Sequence, residues 1–181
     1  MEFEPERTTA DGQASGQVPA TAAAFAAWVG PSLTAMNRLA RRLAPDAEPE
    51  DVVQESLTRA WQKRAQYDAQ RGTVTAWLLA ITADQARSAR RSRVRRLRLV
   101  DESAALPDTS TARDSSRDLD LERAIEALPE RQQLAVHLHY FVGISVEETA
   151  AVMGCAVGTV KSTLFDARSR LRETVGDGDG R

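Results

Sequence analysis

Two stretches of helical periodicity, separated by a stretch that lacks it, constrain the fold of this 181-residue chain. Apolar residues recur every three or four positions from Phe25 to Ile81, and again from Leu119 to about residue 173. No segment alternates apolar and polar residues as a half-buried strand would. We therefore expect an all-α protein with two small helical domains, at 22–100 and 119–175.

The remaining segments are rich in Gly, Pro, Ser, Thr and acidic residues and have no apolar period. Too few apolar side chains are present there to offset the entropy of ordering the chain. We expect disordered tails at 1–21 and 176–181. The stretch DESAALPDTSTARDSSRD, residues 101–118, is predicted to be a flexible linker between the domains.

Composition excludes several classes of protein. A single cysteine, Cys155, excludes an internal disulfide framework. No run approaches the ~18 apolar residues that a membrane span needs. The N-terminus lacks a basic region followed by an apolar run, so a secretory signal is not indicated. We expect a protein of the reducing cytoplasm, without membrane insertion.

The net charge of −2 conceals a basic block. Residues 23–100 carry 14 basic and 7 acidic side chains, and seven arginines fall within residues 87–98. Such a density attracts phosphates and makes binding salt-dependent. The alternative is a solvated helix end. The arginines are Arg87, Arg90, Arg91, Arg93, Arg95, Arg96 and Arg98.

In the first domain an unbroken apolar stripe runs from Phe25 to Leu43, after which Pro45 and Pro49 interrupt the chain. A second helix is predicted over 50–61, where Glu50 and Asp51 suit the positive end of the helix dipole. Thr73 is predicted to cap a third helix, which continues past Ile81 into the basic arm.

In the second domain a short stripe ends at Pro129, and a helix is predicted over 130–141. Ser145 and Glu148 then form a capping-box pattern before a short helix that ends near Met153. Gly154 supplies a turn, and a longer helix is predicted over 157–173. A short helix, a turn and a second helix of these lengths predict a helix-turn-helix.

The spacing within 157–173 divides the second helix into two faces. Val160 and Leu164 are predicted to pack inward, and the second helix of such a motif enters the major groove of DNA. The residues predicted to face DNA are Thr159, Lys161, Ser162, Phe165 and Arg168. The alternative is a plain helical hairpin with a polar surface.

Three segments in series are familiar: EPEDVVQESLTRAW, YDAQRGTVTAWLLAITADQARSARR, and ALPERQQLAVHLHYFVGISVEETAAVMGCAVGTVKSTLFDARSRLR. Together they resemble the bacterial extracytoplasmic-function (group IV) sigma factors of the sigma-70 family, which are subunits of RNA polymerase. The resemblance covers both domains, from about residue 22 to 175. It implies that 22–100 is sigma region 2 and 119–175 is sigma region 4.

The resemblance also implies roles for particular residues. Helix 50–61 resembles region 2.2, which docks on the clamp helices of the polymerase β′ subunit, and the loop Tyr67–Thr73 resembles one that traps a flipped base of the −10 element. The helix-turn-helix resembles region 4.2, which reads the −35 element. The implied polymerase contacts are Glu50, Asp51, Gln54 and Glu55. The implied −10 contacts are Tyr67, Arg71, Trp77, Asp84, Arg87, Arg90 and Arg91, and the implied −35 contacts are Thr159, Lys161, Ser162, Phe165 and Arg168.

The partners implied are core RNA polymerase, through its β and β′ subunits, and promoter DNA; an anti-sigma factor commonly accompanies this family. We expect no cofactor, no metal site and no catalysis. His137 and His139 lie two apart on different helix faces, which does not suit metal ligation. The first alternative is a stand-alone helix-turn-helix regulator. A DNA recombinase is a third class, but it would need a nucleophile that the sequence does not offer.

Four residues depart from the family pattern. Asp84 stands where Asn is common in the −10-reading helix, and an acid repels phosphate. Thr163 and Asp166 stand where Arg is common in the recognition helix. The loss of two cations indicates weaker binding to DNA phosphates or a different −35 sequence. Ala156 replaces a capping Ser or Thr, at a cost of about 1 kcal/mol.

Overall fold

A computed structural model describes residues 18–100 and 116–176, and within these ranges the regular structure is entirely helical. The elements, in chain order, are α1 (Ala22–Val29), a 3-10 turn (Gly30–Ser32), α2 (Leu33–Leu43), α3 (Pro49–Lys63), a second 3-10 turn (Arg64–Gln66), α4 (Val74–Val100), α5 (Ser116–Glu126), α6 (Glu130–Val136), a π-helix (His137–Val142), α7 (Val146–Met153) and α8 (Val157–Gly176). The all-α fold expected from the sequence is confirmed.

Much of the expected tails and linker lies outside the described residues. This applies to 1–17, 101–115 and 177–181. Helix α5 begins at Ser116, so helix already covers the last three residues of the span predicted as linker, and α8 continues to Gly176. The domain boundaries therefore remain a prediction.

The first four helices pack around a core formed by the predicted apolar stripes. Met36 and Leu39 of α2 and Leu78 of α4 have no exposed surface. From α3, Val52 and Val53 are buried against them. Thr73 caps α4 as predicted, because its hydroxyl accepts a 3.1 Å hydrogen bond from the Ala76 N–H.

The stripe from Phe25 to Leu43 lies on two helices rather than one. A 3-10 turn at Gly30–Ser32 separates α1 from α2. Proline lacks the N–H that a helix interior requires, so Pro31 favours a new helical start. The buried Ser32 hydroxyl lies 2.9 Å from the hydroxyl of Thr75, which ties this turn to α4.

The second domain is built on the predicted helix-turn-helix. The capping box is present: Glu148 N–H donates to the Ser145 hydroxyl, and Ser145 N–H donates to the Glu148 carboxylate. Gly154 ends α7 with φ +61°, a left-handed conformation that glycine adopts without strain. Val160 of α8 and Ala150 of α7 are buried in one apolar cluster where the two helices cross.

The helix predicted over 130–141 changes character part-way. From His137 to Val142 it is a π-helix, and the Gly143 N–H donates to the Leu138 carbonyl five residues back at 3.1 Å. Gly143 takes φ +85° and ends the helix. A single π-turn shifts the apolar period of a helix by about one residue, and so short a stretch does not reveal that shift in the sequence.

The two domains pack directly on each other. Leu134, Leu138 and Val142 of the second domain belong to the same buried apolar cluster as Met36 and Leu39 of the first. Polar contacts surround this shared core, and they join Arg42 to Glu122, Arg90 to Glu130, and Thr73 to Glu148. The second domain therefore rests against the first through α6, the π-helix and α7.

Candidate DNA and polymerase surfaces

The four residues predicted to contact polymerase share an exposed face of α3. Glu50, Asp51, Gln54 and Glu55 are all exposed, whereas Val52 and Val53 turn inward. Pro49 begins the helix, and the acids of its first turn lie near the free N–H groups of the helix start. The result is an acidic patch held on a rigid element. One of its charges is partly offset, because Glu50 pairs with Arg41 at 3.5 Å.

A groove of about 730 Å³ runs beside this acidic patch, between α3 and the second half of α4. Asp51 and Glu55 line one wall, and Gln85 and Arg93 line the other. Gln85 is 7% exposed, and its amide nitrogen has no hydrogen-bond partner among the described residues. Gln85 is not among the residues predicted from the sequence. Its spacing of seven from Leu78, which places a polar residue on the inward face of α4, was the available signal.

Three aromatic rings meet at the start of α4. The ring centroids of Trp28 and Tyr67 lie 5.2 Å apart, and the Trp77 ring lies 5.7 Å from each. The Tyr67 hydroxyl donates to the Gly72 carbonyl at 3.3 Å, which closes the Tyr67–Thr73 loop. Burial, and secondarily the Asp68 carboxylate, raise the pKa of Tyr67 above its usual value, so the phenol stays neutral at physiological pH. Trp28, which lies on the apolar stripe from Phe25 to Leu43, completes this cluster.

The predicted −10 residues of α4 follow each other along one side of the helix. Successive members of this set are separated by seven, three and four residues, which keeps them on one face of α4. They are Trp77, Asp84, Arg87 and Arg91. Asp84 is exposed and pairs with Arg87 at 3.4 Å, so its carboxylate draws one cation of the track toward itself. The predicted loop residue Arg71 is exposed close to the aromatic cluster, and Arg90 pairs with Glu130 of the second domain.

Helix α8 has the two faces that the sequence predicted. Val160 is fully buried and Leu164 is 5% exposed, whereas the Phe165 side chain between the polar residues is 62% exposed. The other predicted −35 residues are exposed on the same helix: Thr159, Lys161, Ser162 and Arg168.

The start of α8 shows the effect of the departures from the family pattern. Ala156 offers only its carbonyl, which accepts from the N–H groups of Thr159 and Val160. The Thr163 hydroxyl bonds to the Thr159 carbonyl at 2.7 Å, and the Ser162 hydroxyl bonds to the same carbonyl at 3.0 Å. Each hydroxyl would have to rotate away from the Thr159 carbonyl before it could donate a hydrogen bond to DNA.

The two histidines lie in different surroundings. His139 makes a 3.0 Å contact with the Ile144 carbonyl. His137 is buried, and burial together with the nearby Arg42 guanidinium lowers its pKa to about 4. Among the described residues, no three His, Cys, Asp or Glu side chains come close enough to hold a metal ion. In those same residues, no helix combines the length and the hydropathy that crossing a membrane requires.

Two protein-family models match the sequence of the chain, one in each domain. The first, "Sigma-70 region 2", matches residues 32–96 and so spans α2 to α4. The second, "Sigma-70, region 4", matches residues 118–171 and so includes the helix-turn-helix.

A relative in Mycobacterium tuberculosis, the ECF RNA polymerase sigma factor SigL, is 32% identical over 166 residues, which are 89% of this chain and 94% of the relative. The chain belongs to the ECF sigma factors. Another relative, the ECF RNA polymerase sigma-E factor of Salmonella typhimurium, is 32% identical over 151 residues, covering 76% of this sigma factor and 78% of that one. Sigma factors recognise promoters for RNA polymerase and initiate transcription without catalysing a reaction. The alternative of a stand-alone regulator is not favoured.

Two solved structures have a fold similar to that of this chain. The sigma factor RpoE, bound to the anti-sigma factor NepR from Bartonella quintana, has a TM-score of 0.62 and 31% identity, covering 84% of this chain and 96% of that one. CnrH, bound to the cytosolic domain of CnrY, has a TM-score of 0.63 and 26% identity, covering 89% and 92%.

Proposed function

We propose that this sigma factor divides promoter recognition among three surfaces. The acidic face of α3 binds the clamp of the polymerase β′ subunit, the Tyr67–Thr73 loop with α4 opens and reads the −10 element, and α8 reads the −35 element. Residues 22–100 and 119–175 act as the two recognition units. The chain supplies binding energy only, has no active site of its own, and works in the cytoplasm.

The division of α8 into a buried and an exposed face carries this proposal. Lys161, Phe165 and Arg168 are spaced by four and three and project together, while Val160 and Leu164 anchor the helix. A lysine or arginine can bind a phosphate or a guanine edge, and a phenyl ring can contact a thymine methyl. The helix is thus held by its packed face and presents its other face to the major groove.

The aromatic cluster at the start of α4 supports the −10 assignment. Rings of Trp28, Tyr67 and Trp77 offer stacking surfaces beside the exposed Arg71, and Arg87 and Arg91 extend a basic track away from them. A base that leaves the duplex needs a stacking surface, and its backbone needs cations. The Tyr67–Thr73 loop and α4 bring both together.

The groove beside the acidic patch supports the polymerase assignment. An exposed acidic face favours a basic partner and speeds encounter. The buried Gln85 amide can donate to a group that enters the groove, and burial makes such a bond worth more than it would be in water. We propose Gln85 as an additional polymerase contact.

An anti-sigma factor is a further proposed partner. RpoE was solved with the anti-sigma factor NepR bound and CnrH with the cytosolic domain of CnrY bound, and this chain covers more than nine-tenths of both RpoE and CnrH. The likeness of this chain to both proteins supports a similar partner here.

Run-off transcription with core polymerase on fragments of the host genome tests the main proposal. We expect the chain to direct transcription from discrete start sites. In the reconstituted holoenzyme, Lys161→Ala and Tyr67→Ala should reduce initiation, whereas Arg123→Ala, at an exposed α5 position outside the three surfaces, should not. Sequence-specific duplex binding by the chain alone, without polymerase-dependent transcripts, would instead support the stand-alone regulator.

A further inference from the structure

The outward face of α8 carries an acid, Asp166. The helix turns by about 100° per residue, and its inward positions are Val160, Leu164 and Ala167, which are at most 5% exposed. Asp166 points away from these three residues, is exposed, and follows directly after the exposed Phe165. No ion pair of the described residues includes its carboxylate. The carboxylate is therefore available to the surface that α8 meets.

Cations occupy the two edges of the same outward face. Lys161 and Arg168, seven residues apart, lie on one edge, and Arg170 lies about half a turn around the helix from them. All three are exposed. When a helix enters the major groove, its edges meet the two phosphate backbones and the surface between them meets the base edges. Asp166 lies between the two edges, so its carboxylate is directed at bases and not at phosphates.

The hydroxyl groups beside Asp166 are engaged within the helix. Ser162 and Thr163, four and three residues before Asp166, both bond to the Thr159 carbonyl. Among the described residues, neither hydroxyl donates to the Asp166 carboxylate. Both oxygens of the carboxylate therefore keep their capacity to accept a hydrogen bond from a base.

The chemistry of the base edges decides which base a carboxylate can bind. In the major groove cytosine presents an amino group, whereas guanine and thymine present acceptor atoms, which repel a carboxylate. Adenine presents an amino group beside the acceptor N7, so a carboxylate that bonds to the amino group also meets an acceptor. The phosphates of DNA repel an acid as well, and a hydrogen bond to a base offsets this repulsion. An acid in the major groove therefore favours cytosine.

We propose that Asp166 is a specificity-determining residue, which selects a C·G base pair in the −35 element by accepting a hydrogen bond from the cytosine amino group. Lys161, Arg168 and Arg170 hold the flanking phosphates, so the acid adds discrimination while the cations supply the attraction to DNA. The aspartate at this position thus changes the sequence that α8 reads and does not only weaken binding. This inference rests on the proposed −35 role of α8 and names a base pair that α8 reads.

Selection of −35 sequences by the reconstituted holoenzyme tests the proposal. The probe is a promoter that the wild-type holoenzyme transcribes, with its −35 element randomised, and the bound fragments are sequenced. We expect wild type to enrich cytosine at one position of one strand at least about fivefold over each other base. Asp166→Asn should move this preference to adenine, and Asp166→Arg should move it to guanine, because an amide and a guanidinium pair with those base edges. Glu173→Gln, at an exposed position later in α8, is the control for charge and should select the wild-type sequences.

Three results would overturn the role of Asp166. The first is that the Asp166 variants select the same −35 sequences as wild type. The second is that they bind every −35 sequence more tightly by the same factor, which would show only that phosphate repulsion had been removed. The third is that the base pair that responds to the variants is A·T in the wild-type selection. The −35 role of α8 fails separately: it is wrong if Lys161→Ala and Phe165→Ala leave both the selected −35 sequences and their affinities unchanged.

Discussion

The guanidinium of Arg42 lies 4.0 Å from the centre of the Phe141 ring. Arg42 belongs to α2 and Phe141 to the π-helix, so this contact joins the two domains. The same guanidinium donates to Glu122 at 3.2 Å. A cation that stacks on an aromatic ring and pairs with a carboxylate links three elements through one side chain.

Replacing Arg42 by alanine should weaken the contact between the domains. The loss of the cation–π interaction, with a half-exposed ion pair, is worth about 1 kcal/mol. Small-angle scattering should show a larger average radius of gyration for Arg42→Ala, and its first unfolding transition in urea should move to a lower concentration. Arg59→Ala is the control, and an equal response from both variants would contradict the proposed role of Arg42.

The stability of the protein should fall as the pH decreases from about 6.5 to about 4. The folded chain keeps His137 neutral with a pKa of about 4, whereas the unfolded chain protonates it near the ordinary histidine value. Unfolding is therefore favoured by proton uptake within this window, by about 2 kcal/mol between pH 7 and pH 5. Above pH 6.5 both states are neutral and the effect vanishes.

Urea titrations of wild type and His137→Leu at pH 7 and pH 5 measure this effect. Carboxylates also titrate in this range, so the informative quantity is the difference between the two proteins, which should shrink or reverse at pH 5. The charged side chains that line the cleft around His137 are the same in both: Arg38, Arg41, Arg42, Asp46, Arg90, Glu122 and Glu126. Parallel losses of stability in the two proteins would show that His137 is not responsible.

The two faces of α8 should respond oppositely to substitution. Lys161→Ala or Phe165→Ala should weaken binding to a −35 duplex by roughly 1–3 kcal/mol with little loss of stability. Val160→Ala removes methyl groups from a fully buried site and should cost about 1 kcal/mol or more of stability. Duplex binding and thermal melting of the three variants separate these effects. The assignment of faces is wrong if Lys161→Ala and Phe165→Ala unfold the domain while Val160→Ala does not.

Reversing the charges of Asp51 and Glu55 should weaken binding to core polymerase and preserve the fold. Both acids are exposed on one face of α3, and neither contributes to the core below them. Competition for core polymerase against a labelled wild-type chain measures the change for Asp51→Lys with Glu55→Lys. Helical circular dichroism and melting temperature serve as the controls. An unchanged affinity in a folded double variant would remove α3 from the polymerase surface.

The features that the sequence predicts correctly depend on neighbours in the chain. The faces of α8 follow from the spacing of Val160 and Leu164, and the start of α7 follows from Ser145 and Glu148. In each case the apolar period or the capping pattern lies within a few residues. Such signals survive folding because the rest of the protein packs on the face that they define.

The features that the sequence does not reveal depend on distant contacts. Nothing near Arg42 indicates that it stacks on Phe141, and nothing near His137 indicates that Arg42 of the first domain lies close to it. The predictions treated the two domains as separate units and assigned Leu138 and Val142 no partner in the first. Apolar residues on a short helix look alike whether they pack within a domain or between two.

The continuous helix α4 restricts insertions and deletions between Val74 and Val100. It runs for 27 residues, about 40 Å at 1.5 Å per residue. Trp77 near one end and Arg91 further along keep their relative directions only because every residue between them turns the chain by the same angle. Inserting or deleting one residue would rotate all later side chains by about 100° and would turn the arginines away from the tryptophan. Substitutions at the exposed positions of α4 leave this geometry intact, whereas the number of residues between Trp77 and Arg91 cannot change without altering it.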